Sequence, residues 1–501
     1  MLVRTHFCTR LGVHVSAAVL ALALLAGLAG AQTLRAGIGI PVQLDPAFAS
    51  SDAEILVLSN VYDYLVEIDA NNDVQPGLAT DWTTSDDGVV WTFTLREDVT
   101  FHSGAAFDPD DVVATFDRLR DPDADLATSD LYANVETVEA TGPNEVTFTL
   151  ADPNPFFLYD LSDNHAVVHD ADADDFGTTF DGTGPFRVAS YAAEDRMRLE
   201  AVEDHWNAPG VDAIDLVFFS EQSAAVNALR GGQLDLVLRM STPLYQSLEG
   251  ADGIERTRVA TNAFDLVRLR ADRAPGDDPR VVEAMKLAVD REAIRAFVGG
   301  GLSAAALDTP VGPLYDAYHR PDLTPPERDV ERARALLADA GYADGLELTL
   351  HVPDSGDRPD LAVVLKDQLD DAGFDIDVQV QPESVYYGEG GWLDVDFGIT
   401  GWGSRPTPQF YFETMIACDA VWNEAHYCDP EVDALIDEAG ATLDEDVRRA
   451  AYADLQRILA TEGPYVIPYF FPQFAALSDA YEGLALKAFP GRTDLAALQP
   501  R

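Results

Sequence analysis

GLATDWTTSDDGVVWTFTLREDVTFHSGAAFDPDDVVATFDR, residues 77–118, is the stretch that decides the fold. Gly88 supplies a turn after the acidic pair Asp86-Asp87. Val90, Trp91, Phe93 and Leu95 form a β-rich run, and 97–101 reads as a further strand. His102-Ser103-Gly104 breaks the chain. Asp108-Pro109 then opens an amphipathic helix from Asp110 to about Arg120. The aspartate caps free N–H groups of the first turn, and proline fits the first helical position. Val112, Val113, Phe116 and Leu119 fall on its buried face. A hairpin follows, VETVEA and EVTFTL about Gly142-Pro143-Asn144.

The N-terminal side of this block begins with a leader. Residues 1–31 carry Arg4 and Arg10, no carboxylate, an apolar run from Val13 to Leu28 and the small residues Ala29-Gly30-Ala31. That is the layout of a cleaved secretory signal peptide. No cysteine stands at the cleavage point, so a soluble, periplasmic mature protein without a lipid anchor is expected; Cys8 leaves with the leader. The remaining 32–501 is too long for one compact core.

Lys+Arg 33 against Asp+Glu 87 gives a net charge of −54, with only three lysines, Lys286, Lys366 and Lys487. Nucleic acid and anionic membrane surfaces would repel such a chain. In salt its carboxylates are screened. Cys418 and Cys428 are an even pair in an exported chain and are expected to form a disulfide. A metal site there would want for a fourth ligand even with His426.

Further along, Ile55, Leu56, Leu58, Val61, Tyr62 and Leu65 have helical spacing over 52–66. Asp278-Pro279 caps a helix running through Val289 and Ile294, and Asp329 starts another. LELTLHV, DIDVQVQP and LDVDFGITGW are strands, with a helix between the first two. Such alternation implies an α/β lobe with much of its sheet parallel. The apolar, proline-broken GPYVIPYFFPQF (463–474) reads as a buried crossover, after a helix from Asp446 to Glu462.

The 77–118 block, SDAEILVLSNVYDYLVEID (51–69), GTGPFRVASY (182–191), LEAVEDHWNAPGVDAIDLVFF (199–219) and DPRVVEAMKLAVDREAI (278–294) together resemble the peptide- and nickel-type solute-binding proteins of ABC importers, solute-binding protein family 5. The resemblance covers nearly all of 34–475. It implies an α/β, two-lobed periplasmic binding protein of type II, cluster C-like, with a hinge and an accessory α+β subdomain. Lobe I would be 32–265, including an accessory subdomain at about 75–183; lobe II would be 266–467, and 468–501 would return to lobe I. The chain would cross between lobes near 259–272 and 463–474. The implied role is capture of a peptide-like or other small polar solute and its delivery to the membrane permease, by a monomer needing no cofactor.

Catalytic parts are missing: there is no GxSxG elbow, HExxH or P-loop lysine motif. His102, His205 and His351 stand alone and read as structural. HDADADDF has Asp175 where a calcium loop needs glycine and Asp181 where it needs glutamate, so neither calcium nor any other metal is expected. A secreted hydrolase of peptides or oligosaccharides, and a chemoreceptor component, are the alternatives to uptake.

The cleft candidates lie in DVDFGITGWGSRPTPQFYF (394–412). Ligands of open α/β lobes collect at strand carboxyl ends. Gly401 and Gly403 let a ligand approach the backbone, and Trp402 offers a flat apolar face with one donor. The family resemblance likewise places a Gly-Trp here, facing ligand. Peptide carriers of the family usually follow it with an aspartate for the α-ammonium; this chain has Arg405 instead. Arg405 either takes a carboxylate or phosphate as a two-pronged fork or pairs with a neighbouring acid. Position in the family adds Asn60 and Tyr62, Asn262 and Phe264, and Tyr386 and Tyr387 as cleft residues.

Overall fold

The computed structural model describes residues 32–501 apart from 125, 127, 389 and 490. The leader and Cys8 lie outside the described residues. No helix among the described residues is long and apolar enough to cross a membrane.

The decisive block folds much as read. In the strand Val90–Leu95, Trp91, Phe93 and Leu95 are buried. The Trp91 indole donates to the Gly88 carbonyl at 3.1 Å, and Gly88 has φ 74°, so the turn needs glycine. The helix spans Pro109–Leu119 and carries a full capping box: Asp108 accepts from Asp110 N, and Asp111 accepts from Asp108 N. Phe116 packs edge-on against Phe148 with centroids 5.0 Å apart, joining the helix to the hairpin. Strands 79–84, 90–95, 145–150 and 135–142 make a four-stranded antiparallel sheet in that order. Its Phe93 and Phe148 share one continuous core with Val57, Leu65 and Leu216 of the first lobe. The accessory sheet therefore has no core of its own.

A large central sheet runs through both lobes, in the order 374–381, 346–353, 397–402, 254–269, 469–478, 236–238, 33–38, 213–218, 196–201, 186–192. Strand Ile254–Leu269 joins its halves. Residues 254–260 pair antiparallel with 478–472, the register shifts between Ala260 and Ala263, and 264–269 then pair antiparallel with 402–397. In the second lobe 346–353 is parallel to both 374–381 and 397–402. Separate apolar cores include Leu34, Val57 and Leu216 in the first lobe and Val267, Leu350 and Phe397 in the second.

Three expectations change. Run 97–101 is no strand: Asp98 adopts φ 61°, and only a single bridge, Thr100 to Ala106, forms. The first helix ends at Val61, and Leu65 is buried in the extended segment after it. The helix from Asp278 is two helices, Pro279–Ala288 and Arg291–Phe297, because Val289 turns to ψ 120° and Asp290 caps the second. A further helix, Pro430–Ala441, follows the disulfide loop.

His102 and His205 are held by partners inside the protein. His102 Nε2 lies 2.9 Å from the Gly184 carbonyl, and burial pushes its pKa down. His205 Nε2 lies 3.1 Å from Asp63, which also accepts from Thr183. Cys418 and Cys428 form the expected disulfide, with Cα atoms 4.4 Å apart.

Candidate functional site

Two adjoining cavities of about 730 and 660 Å³ open between the lobes, sharing Gln222, Arg239 and Gln473 in their walls. Such volumes match small-solute sites. The larger is floored by Phe264, Gly401, Trp402 and Gly403, where strands 254–269 and 397–402 pair.

Trp402 is only 8% exposed. Its ring lies nearly parallel to Phe264, at 12° and 6.4 Å, and meets Tyr411 and Trp422 edge-on. Its Nε1 donates to Glu424 Oε1 at 3.1 Å. Glu424 Oε2 also accepts from Thr400 Oγ1 at 2.6 Å and Arg268 Nε at 3.1 Å. Burial pushes the Glu424 carboxyl above its ordinary value, against the pull of Arg268. The indole donor is therefore spent inside the protein, and Trp402 offers a solute its apolar ring alone. Glu424 sits in the loop that the disulfide closes, so this cross-link backs the cleft wall.

The cleft's charges come from residues the sequence reading did not select. Arg358 begins the helix Arg358–Asp371, just past strand Leu346–Pro353. Its Nε donates to Asp265 Oδ1 at 3.0 Å and its Nη1 to the Ser355 carbonyl at 3.2 Å. Asp265 is wholly buried and also accepts from Tyr469 at 2.8 Å. Burial opposes the Arg358 charge, but Asp265, with Tyr387 and Glu383, holds the guanidinium above its ordinary pKa. Arg358 Nη2 has no acceptor among the described residues. A Cβ on Gly401 would stand 2.0 Å from that nitrogen, so Gly401 is what lets the guanidinium lie across the strand.

Arg239 faces it from the first lobe. It follows strand Leu236–Leu238 in the left-handed region, φ 54°, and pairs with Asp52. Solvent reaches 55% of its side chain, yet burial and the nearby Arg358 charge both lower its pKa. It is thus a cation bathed in cleft water with protein around it. Both arginines follow strand carboxyl ends, the rule that selected Trp402. Applied to every strand, it would have brought both to the cleft, though not shown which acids hold them.

Of the ten expected cleft residues, Gly401, Trp402, Gly403 and Phe264 line it. Of the other six, five sit elsewhere and Tyr387 stands at its edge. Arg405 stacks on the Phe410 ring at 4.6 Å, and its charge helps hold Asp163 of the first lobe ionised. The turn at Pro406 carries it to the side where the lobes touch, marked by Asn72 Nδ2 donating to the Pro406 carbonyl at 2.8 Å. Asn60 ties down the C-terminal segment, donating to Thr493 O and accepting from Leu495 N. Tyr62 lines a separate cavity of about 210 Å³ beside His169 and its aspartates. Asn262 is fully buried, its amide without a partner among the described residues, and its N–H donates to Ser404 Oγ. Tyr386 is buried behind the strand on Thr400, and Tyr387, partly exposed against Trp392, sets its hydroxyl by the Gly401 backbone and the Arg358 charge.

The sequence model for bacterial extracellular solute-binding proteins, family 5, matches residues 73–423. The chain is 29% identical over 474 residues to "Probable di/tripeptide-binding protein 5" of Pseudomonas aeruginosa (strain UCBPP-PA14), covering 86% of this chain and 88% of the relative. It is 27% identical over 469 residues to "Di/tripeptide-binding protein 1" of the same strain, covering 85% and 86%. Its fold is that of the ABC transporter-associated periplasmic binding protein DppA from Helicobacter pylori, solved with the peptide STSA: TM-score 0.81, 22% identity, 93% of this chain and 98% of that one. The chain belongs to the bacterial extracellular solute-binding proteins, family 5.

Proposed function

We propose that this solute-binding component of an ABC importer carries a small, carboxylate-bearing solute of peptide size. One observation carries the reading. Arg239 of the first lobe and Arg358 of the second line one cavity, and Arg358 has a nitrogen with no protein acceptor among the described residues. A guanidinium takes a carboxylate as a fork, and a carboxylate lying between two lobes is held fully only when they close. Closure is a shift between two conformations, biased by contacts that exist in one of them. Strand Ile254–Leu269 and the segment 463–474 are the crossings about which lobes 32–265 and 266–467 turn, with 468–501 returning to the first. The di/tripeptide-binding names of relatives support cargo of this size. The protein is exported by its leader, works as a monomer and leaves its cargo unaltered; ATP is hydrolysed on another subunit.

Native mass spectrometry of the protein purified from a periplasmic extract tests this. The expected result is one retained carboxylate-bearing solute per chain, released unchanged on denaturation and absent from Arg358→Lys. A retained solute without an acid group, or one returned chemically altered, contradicts the reading.

A further inference from the structure

We propose that the small cavity beside His169, where the end of the first helix meets segment 169–181, is a second binding site, separate from the cleft, and that it takes an organic ammonium ion. The inference does not use the capture reading.

An acceptor buried without a partner carries it. His169 is 6% exposed. Its N–H donates to Thr115 Oγ1 at 3.1 Å, and that hydroxyl donates to the Asp111 carbonyl at 2.8 Å, so the residue is tied to helix Pro109–Leu119. Its ring meets Phe176 edge-on, with centroids 4.7 Å apart. Nδ1 lies 3.0 Å from the Asp170 carbonyl. A carbonyl can only accept, so Nδ1 carries a proton and Nε2 of the neutral ring keeps its lone pair. Burial lowers the ring's pKa, which favours that neutral form. Nε2 is itself buried and has no partner among the described residues, and His169 lines the cavity. Buried nitrogens are nearly always hydrogen-bonded, and a donor entering the cavity would complete this one.

The charge around it says which donor. Asp170, Asp172, Asp174, Asp175 and Asp181 line the same cavity of about 210 Å³. None of the five is ion-paired among the described residues; Arg118, whose charge reaches His169, is spent on Asp45 at 2.7 Å and lies over the Phe176 ring at 3.8 Å. Asp175 accepts from the Thr178 and Thr179 hydroxyls and Asp181 from Ser103 N, which leaves their charge uncancelled.

The placement of these groups favours an organic cation over a metal ion. A metal ion draws several ligand atoms to one point. Among the described residues, His169 and these aspartates do not bring three donor atoms within such reach. An ammonium group needs no such convergence. One of its N–H groups goes to Nε2, and the carboxylates around it act through their charge at longer range.

Calorimetry with diaminobutane and with Nα-acetyl-lysine amide tests this, in about 150 mM salt, where loose attraction to the acidic surface is screened. The first probe stands for a free amine, the second for a lysine side chain of a protein partner, and the tighter of the two identifies the source. The wild type is expected to bind one ammonium ion per chain, whether or not trialanine is present at saturation. His169→Phe keeps the edge-on contact with Phe176 and loses the acceptor; it is expected to weaken binding about tenfold or more, the worth of a charged hydrogen bond. Asp172 and Asp174 are exposed, so the double variant Asp172→Asn, Asp174→Asn keeps the fold, and it is expected to weaken binding severalfold. Binding of neither probe, uptake of many amines per chain at an affinity that both variants leave unchanged, competition by trialanine, or a tighter hold on Mn2+ that His169→Phe abolishes overturns the assignment.

Discussion

Arg268 and Arg358 lie against opposite faces of one strand, Phe397–Trp402, and are used in opposite ways. Arg268 crosses Gly398, and Arg358 crosses Gly401, an odd number of residues on. Behind the strand, Arg268 is wholly buried and spends its donors on Glu424, the Val395 carbonyl and the Trp392 carbonyl. In front, Arg358 is held by Asp265 and Ser355 with one nitrogen left over. The closed network fixes the wall; the open one is ready for a solute. A buried charge with all its partners inside reads as structure, and one with a donor to spare reads as recognition.

The sharpest way to break this contrast is to strike each network in turn. Glu424→Ala strands the buried Arg268 and the Trp402 indole. It should cost about 3–5 kcal/mol of stability in denaturant titrations. Arg358→Lys keeps the positive charge opposite Asp265 but loses the fork. It should weaken trialanine binding about tenfold or more by calorimetry while costing little stability. Equal effects of both changes on stability would erase the distinction.

The same contrast recurs between two neighbouring acids of the first lobe. Asp163 is 2.6 Å from His165 Nδ1; burial opposes its charge, but His165 holds its pKa down at about 2. Asp160 has only the Asn154 amide, and burial pushes it from 3.8 up to about 8. The fold therefore keeps on Asp160 a proton that the unfolded chain has released. Stability falls as pH rises from 3.8 through about 8. Asp163 has the opposite sign: its contribution is present above 3.8 and is lost as pH falls toward about 2. Asp160→Asn should thus raise the melting temperature at pH 8 and leave it near wild type at pH 4. A variant no more stable at pH 8 would show that Asp160 is not held protonated.

The smallest expected effect is spread over the whole surface. With a net charge of −54, the compact state repels itself in dilute buffer. The melting temperature should rise from dilute buffer to molar salt; a flat response would mean that local pairing already neutralises the field. All three lysines are paired, with Asp308, Asp370 and Glu67.

Local signals made the fold legible. Asp108-Pro109, Gly88 and the alternation of Trp91, Phe93 and Leu95 each act within a few residues. Misreadings also came from local choices, such as Asp98 entering the left-handed region and Asp290 restarting a helix. The cleft was half legible. Trp402 and Phe264 announce themselves as aromatic residues at a strand end and a crossing. Arg239 and Arg358 do not, because an arginine's role depends on which acids surround it. Those partners lie far off in sequence, as Asp265 does from Arg358. Asn60 misled for the same reason: its partners are Thr493 and Leu495 at the other end of the chain.

The central claim is that two lobes close on a carboxylate held between Arg239 and Arg358. Small-angle scattering with and without trialanine tests it most directly. The account predicts a smaller radius of gyration on adding the peptide to the wild type, and no change for Arg358→Lys at the same concentration. A wild-type envelope that stays the same while calorimetry shows the peptide bound would contradict it.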